Sequence, residues 1–214
     1  ILPLVCEYAA KYGYPDILKY AHEHGCAWDK DTCVAAAENG HFEILKYAYE
    51  HGCPWDATTS AMAANGGDLQ MLKWLAEHEC PLDARTCQFL AERGDLEGLQ
   101  WARGRGCRWN KWACASAASE GHLEVLQWLR AQGCKWHATT CVWAAEKGHL
   151  DVLKWARQNG CPWNRRVHWY AERNGHQATA EWAKANGCLD SNDDSNDDSD
   201  DDSDDESDES DESD

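Results

Sequence analysis

One cysteine returns at Cys26, Cys53, Cys80, Cys107, Cys134, Cys161 and Cys188, always at an interval of 27 residues. A second column keeps the same period with Cys6, Cys33, Ser60, Cys87, Cys114, Cys141 and His168. A third is glycine: Gly13, Gly40, Gly67, Gly94, Gly121, Gly148 and Gly175. No insertion or deletion breaks the seven periods. Such a fixed interval marks a solenoid, whose units are too small to bury an apolar face alone and must stack on their neighbours. Function then has to lie on a repeated surface. No single catalytic pocket is implied.

The periodic part covers residues 1–189 and the remainder, 190–214, is a tail. The tail holds 16 of the 38 acidic residues and none of the 20 basic ones, so the repeats carry −2 of the formal −18. The charge of the chain is a tail property. With no apolar residue to offset its ordering entropy, the tail is expected to be disordered. Serines followed by acidic residues, for example Ser203 and Ser207, resemble casein kinase 2 acceptor sites. No apolar run approaches the roughly 20 residues that span a bilayer, and no signal-peptide pattern is present. The first residue is Ile1, so an upstream segment is compatible with the sequence. Leu2, Leu4 and Val5 in the first unit point to a further repeat or a covering domain before it. In the last unit Thr179, Glu181 and His168 predict a wetter end face.

Twelve cysteines would fit a disulfide framework in a secreted chain. Cysteines of one column sit on units about 8–10 Å apart if helices pack normally, too far for a disulfide. Pairing across a loop, Cys26 with Cys33, would put Cys53 against Ser60 and Cys161 against His168, and would leave Cys6 and Cys188 over. Reduced, buried thiols are therefore expected, and with them an intracellular protein, cytoplasmic or nuclear.

In the unit Trp28 to Pro54, Asp29 is an N-cap for a helix over about 30–38, with Cys33, Ala36 and Ala37 on one face. Asp56, Asp83, Asn110 and Asn164 repeat the cap, and His137 is a weaker one. Gly40 ends the first helix. A second helix over about 41–51 carries Phe42, Ile44, Leu45, Tyr47 and Ala48, a stripe wide enough to touch its partner and the next unit. Two aromatic columns complete the core. One is Tyr20, Tyr47, Trp74, Trp101, Trp128, Trp155 and Trp182, and the other is Trp28, Trp55, Leu82, Trp109, Trp136 and Trp163. No basic stripe accompanies them, so packing explains the tryptophans better than base stacking, and no nucleic acid is expected.

The segment GHFEILKYAYEHGCPWD, residues 40–56, resembles the second-helix half of an ankyrin repeat, and AAAENGH, residues 35–41, is similar to the start of its inter-helix turn. The resemblance recurs in register through all seven units. It is strongest to the short, Cys- and Trp-rich variety found in protists and giant DNA viruses. It implies an all-α, ankyrin-like solenoid of seven helix–turn–helix repeats. The period is shorter than the usual ankyrin unit, and the missing residues fall where the family's β-hairpin fingers lie.

Nothing in the motifs calls for catalysis, a metal or a cofactor. Cys161 and His168 keep ordinary column spacing, and no close Cys pairs, P-loop or HExxH occur. The informative positions are those that vary while the core repeats. Arg85, Lys111, Trp112, Arg165 and Arg166 precede the first helices as loop residues, and Glu92, Arg93, Glu146 and Lys147 follow them. By the ankyrin resemblance these line the concave side and contact a partner, with Trp112 and the arginines as anchors. The expected function is a monomeric, non-enzymatic scaffold for protein–protein interaction. The alternative is a chaperone-like protein that binds basic partners such as histones through its acidic tail.

Overall fold

The computed structural model describes residues 3–188. The tail expected at 190–214, with Ser203 and Ser207, lies outside the described residues. Fourteen helices and no strand make up the described residues. They form seven antiparallel pairs: α1 (Pro3–Tyr12) with α2 (Pro15–Glu23), α3 (Lys30–Glu38) with α4 (Phe42–Glu50), and α5 (Ala57–Gly66) with α6 (Leu69–Glu77). Next come α7 (Ala84–Glu92) with α8 (Leu96–Gly104) and α9 (Lys111–Ser119) with α10 (Leu123–Ala131). The last are α11 (Ala138–Glu146) with α12 (Leu150–Gln158) and α13 (Arg166–Arg173) with α14 (Gln177–Ala185).

Local chemistry sets the boundaries. The side chains of Asp29, Asp56, Asp83 and Asn110 accept hydrogen bonds from backbone N–H groups two residues on, and so satisfy donors that a helix start leaves open. Asn164 does the same for the Arg166 N–H. His137 makes no such cap. Gly40 leaves α3 at φ 73°, a conformation that costs an L-residue about 1–2 kcal/mol. Each second helix ends on another left-handed residue. It is glycine everywhere except at Glu79, which takes φ 63°.

The first helices of successive units pack directly on one another, while the second helices are held mainly by their own first helix. Small residues make this possible: Cys114, Ala115, Ala117 and Ala118 of α9 are wholly buried. By the ankyrin resemblance this closely packed first-helix layer corresponds to the concave side. The tryptophan columns pack on the outer core as expected. Trp55 meets Trp74 edge-to-face at 5.9 Å, and Trp109 meets Trp128 at 5.7 Å. Each turn tryptophan is also covered by a residue six positions earlier. His22 stacks on Trp28 at 3.6 Å, Tyr49 on Trp55 at 4.2 Å, and the guanidinium of Arg130 sits 4.0 Å over Trp136.

All twelve cysteines are buried and none is in a disulfide. Their neighbours, however, are not those the loop pairing assumed. The first-helix cysteine meets the turn cysteine that follows it by 20 residues, inside one unit. Cys6 Sγ donates to Cys26 Sγ at 2.8 Å and Cys87 Sγ to Cys107 Sγ at 3.2 Å. Cys33 with Cys53, Cys114 with Cys134, and Cys141 with Cys161 repeat the contact. The antiparallel helix pair folds the turn back over the start of its own first helix, whereas Cys26 and Cys33 fall in different units. Cys6 therefore has a partner, and Cys188 lies against His168. The turn thiols donate in turn to the N-cap carbonyl of the same unit, as Cys53 does to Asp29 O at 3.2 Å and Cys107 to Asp83 O at 3.2 Å.

The two ends of the stack differ. Ile17 is 50% exposed, whereas its equivalents Ile44, Met71, Val125 and Val152 are no more than 3% exposed. With Leu4, Val5, Tyr8, Tyr12 and Tyr14 it lines an open groove of about 260 Å³ on the outer face of the first unit. At the other end Glu181 is exposed as expected for a wetter face, but Thr179 is 2% exposed, because it occupies the buried column of Ile44 and Val152.

Candidate functional site

Each first helix carries an outward stripe at positions i, i+4 and i+7, which share a helix face. The middle position of this stripe is Met62 in α5, Phe89 in α7, Ser116 in α9, Trp143 in α11 and Tyr170 in α13. Met62, Phe89, Trp143 and Tyr170 are half-buried, and all four pack partly on the core. They lie in one column along the first-helix face, interrupted by the buried Ser116 of α9. Sequence reasoning passed over it because it looked only at the helix ends. The signal was there: one column holds Met62, Phe89, Trp143 and Tyr170 where Ala35 and Ser116 stand in other units.

The residues singled out in the sequence flank this strip in two rows. A nine-residue helix is about 13 Å long, which separates the rows. Arg85, Lys111 and Trp112 lie in the first turn of their helices, with Arg165 next to the start of α13 and Arg166 in its first turn. They are helix residues or N-caps instead of loop residues, because the cap that starts each helix sits one position earlier than the variable pair. Glu92 and Glu146 end α7 and α11, and Arg93 and Lys147 are the C-caps. Arg85 and Arg166 stand three repeats apart, about 25–30 Å, so the set is one face and not one pocket.

Several of these side chains already have partners within the stack. The Arg85 guanidinium donates to Asp83 Oδ2 at 2.9 Å and to Thr58 Oγ1 of the preceding unit at 3.3 Å. Arg93 reaches back across Gly67 and donates to Asn65 O at 3.0 Å. It thereby caps the carbonyl end of the preceding first helix. Histidines of the Gly-His turns do the same job. The ring Nε2 of His122 donates to Glu92 O at 2.9 Å, and that of His41 to Lys11 O at 3.1 Å, each lying over the glycine of the preceding unit. A cation or an N–H at a helix C-terminus is favourable, so these contacts tie unit to unit.

Trp112 is half-buried and stacks on Trp143 of the next unit, with ring centroids 5.6 Å apart and planes at 27°. The Lys111 ammonium stands 5.4 Å from the Trp112 ring centroid. At the C-terminal end Trp169 is 48% exposed, with the Arg173 guanidinium 4.9 Å from its centroid. The first-turn row is rich in cations and sits at helix N-termini, which carry partial positive charge. The opposite row mixes Glu92 and Glu146 with Arg93 and Lys147. This arrangement can hold an extended or helical segment that offers apolar side chains to the strip and carboxylates to the first-turn row.

Among the described residues no helix is long and apolar enough to cross a membrane. A family profile for ankyrin repeats (three copies) matches residues 6–86. No curated protein matches the chain. The fold is similar to the crystal structure of the human ASB11 ankyrin repeat domain, with a TM-score of 0.57 and 16% identity over 73% of this chain and 84% of that one. The profile match stops in the fourth unit, but the cysteine and glycine columns continue in the same register through Cys188. Residues 6–86 match ankyrin repeats, and helix pairs stacked first helix on first helix with glycine-ended turns give the described residues the fold of an ankyrin repeat domain.

Proposed function

We propose that the concave face binds a protein partner through the strip Phe89, Trp112, Trp143 and Tyr170, flanked by Arg85, Lys111, Arg165 and Arg166, and that the chain is a scaffold without an enzymatic activity of its own. Ankyrin repeats are in general modules of protein–protein interaction. The observation that carries this reading is the half-buried Trp112–Trp143 stack, an aromatic pair presented on the first-helix face. Tryptophan and arginine are the residue types that most often anchor interfaces. The basic first-turn row fits a partner segment bearing carboxylates. Glu92, Arg93, Glu146 and Lys147 belong to the rim, where charge steers and selects more than it binds.

The test is a photo-cross-linker placed at Thr139, one repeat on from Trp112 and four residues before Trp143 in α11, and at Glu124 on the exposed side of α10. A specific adduct from position 139 that disappears with Trp112→Ala supports the reading. Equal capture from both positions refutes it. The acidic tail supports a second reading, in which residues 190–214 bind basic proteins and the repeats are a carrier. Deleting residues 190–214 separates the two, since a scaffold keeps its partner and a tail-driven binder loses it.

A further inference from the structure

The five cysteine pairs stand one to a repeat, always between the first turn of the first helix and the turn after the second. We infer that these pairs are oxidation sites, at which hydrogen peroxide closes a disulfide inside each of five repeats: Cys6–Cys26, Cys33–Cys53, Cys87–Cys107, Cys114–Cys134 and Cys141–Cys161. The two sulfurs are 2.8 Å apart in the first of these pairs and 3.2 Å in the third. Each needs to close by about 1 Å to reach the 2.05 Å of a disulfide. The approach is short because both cysteines belong to one helix pair, and no neighbouring repeat has to move.

The chemistry balances with one peroxide for each pair. The turn sulfur loses its proton and attacks one peroxide oxygen. An S–O bond forms, the O–O bond breaks, and the departing hydroxide takes the proton to become water. The turn cysteine is then a sulfenic acid. The first-helix sulfur attacks it, the S–S bond forms, the S–O bond breaks, and the second hydroxide leaves as water with the first-helix proton. Two electrons pass from the thiols to the peroxide. The turn cysteine is the better nucleophile of the two. In four of the five pairs it is the slightly more exposed of the two, and in two units its thiol is held below the usual range, Cys107 by the hydrogen bond from Cys87 and Cys134 by that from Cys114. Closure costs the turn thiol its hydrogen bond to the N-cap carbonyl, such as Cys107 to Asp83 O.

The chain carries its own controls. In the third unit the first-helix cysteine is Ser60, and in the seventh it is His168, so Cys80 and Cys188 have no thiol to close on within their units. The experiment uses the reduced, full-length chain. It is treated in its native state with hydrogen peroxide at about one equivalent per pair, quenched with N-ethylmaleimide, digested with trypsin and mapped by mass spectrometry. Lys or Arg separates every cysteine from the next, so each cysteine lies on its own tryptic fragment. The expected map has five cross-links with the offset of 20 residues, loss of two hydrogens at each, and Cys80 and Cys188 still alkylated. A thiol reductant should reverse all five links. Ser60→Cys should add a sixth link, joining the fragments that carry Cys33, Cys53 and Cys80. Links between columns of different repeats, sulfinic acids without links, or twelve alkylated thiols after treatment would each overturn the inference. The wild-type map decides it even if the Ser60→Cys chain does not fold.

Discussion

Trp112, from the first turn of α9, stacks on Trp143, from the middle of α11, across the boundary between the fifth and sixth repeats. Neither residue belongs to the two repeating tryptophan columns that build the outer core. The pair therefore couples stability of the stack to the shape of the concave face. An aromatic pair contributes about 0.5–1.5 kcal/mol beyond its buried area. Trp112→Ala should destabilise the chain by about that much in urea, while weakening partner binding by about 2 kcal/mol or more. Trp143→Ala should cost more stability, since its ring also packs on the core. A Trp112→Ala chain that binds its partner normally after correction for folding would remove Trp112 from the interface.

The Lys30–Asp56 bridge gives the stack a measurable acid sensitivity. Lys30 Nζ in α3 donates to Asp56 Oδ2 at 2.8 Å, and Asp56 caps α5 of the next unit. The bond from Lys30, helped by the hydroxyl and N–H of Thr58, holds the Asp56 carboxyl at about 2. The folded value lies below the unfolded value of about 3.9, so the folded state disfavours protonation. The contribution is present in full above about pH 4 and is lost as pH falls toward 2. Both side chains are more than a third exposed, 57% and 39%, so solvent and salt reduce it. Asp56→Asn keeps a good N-cap and loses the bridge. Its melting temperature should fall less steeply than that of the wild type between about pH 4.5 and 2; parallel curves would show that the bridge contributes nothing.

Glu79 is the one described residue other than glycine with positive φ, at 63°. It stands where Gly25, Gly52, Gly106, Gly133 and Gly160 end the other second helices. The left-handed conformation costs an ordinary residue about 1–2 kcal/mol, partly offset by the extra unfolded-state freedom of glycine. Glu79→Gly should therefore stabilise the chain by about 0.5–1 kcal/mol, read as a higher urea midpoint with unchanged slope. A lower midpoint would mean that Glu79 makes a compensating contact worth more than the strain.

Much of this architecture was legible in the sequence because a repeat exposes its own rules. Seven copies of one glycine fix where the first helix stops. Five Asp or Asn residues fix where it starts. The buried state of the thiols followed from their spacing. Their partners did not, because pairing at an offset of 20 residues depends on how the second helix folds back over the first, and the one pairing weighed in the sequence, Cys26 with Cys33, joins different units. The candidate site was legible in part. Charged residues at helix ends stood out as departures from the pattern, and they lie at the two ends of the first helices. Yet Arg85 and Arg93 spend hydrogen bonds on Asp83, Thr58 and Asn65, contacts made across repeats that no single unit encodes. Trp143 was missed because attention fell on the helix ends, although its column also carries Met62, Phe89 and Tyr170.

One internal substitution pattern makes a coupling testable. In five units the turn tryptophan is covered by a residue six positions earlier: His22 on Trp28, Tyr49 on Trp55, Arg103 on Trp109, Arg130 on Trp136 and Arg157 on Trp163. The unit that carries Leu82 in place of tryptophan carries Ala76 in the covering position. Large ring and cover are present together or absent together. Leu82→Trp alone should bring little stability, because one face of the new ring stays in water. Ala76→Arg alone should be near neutral, as a surface change on a helix. Together they should gain about 0.5–1 kcal/mol more than the sum of the two, the size of an exposed cation–π contact. A double-mutant cycle in urea measures this coupling directly. Additive effects would show that the covering residue shields the tryptophan without attracting it, and that the matched pattern at 76 and 82 reflects packing volume alone.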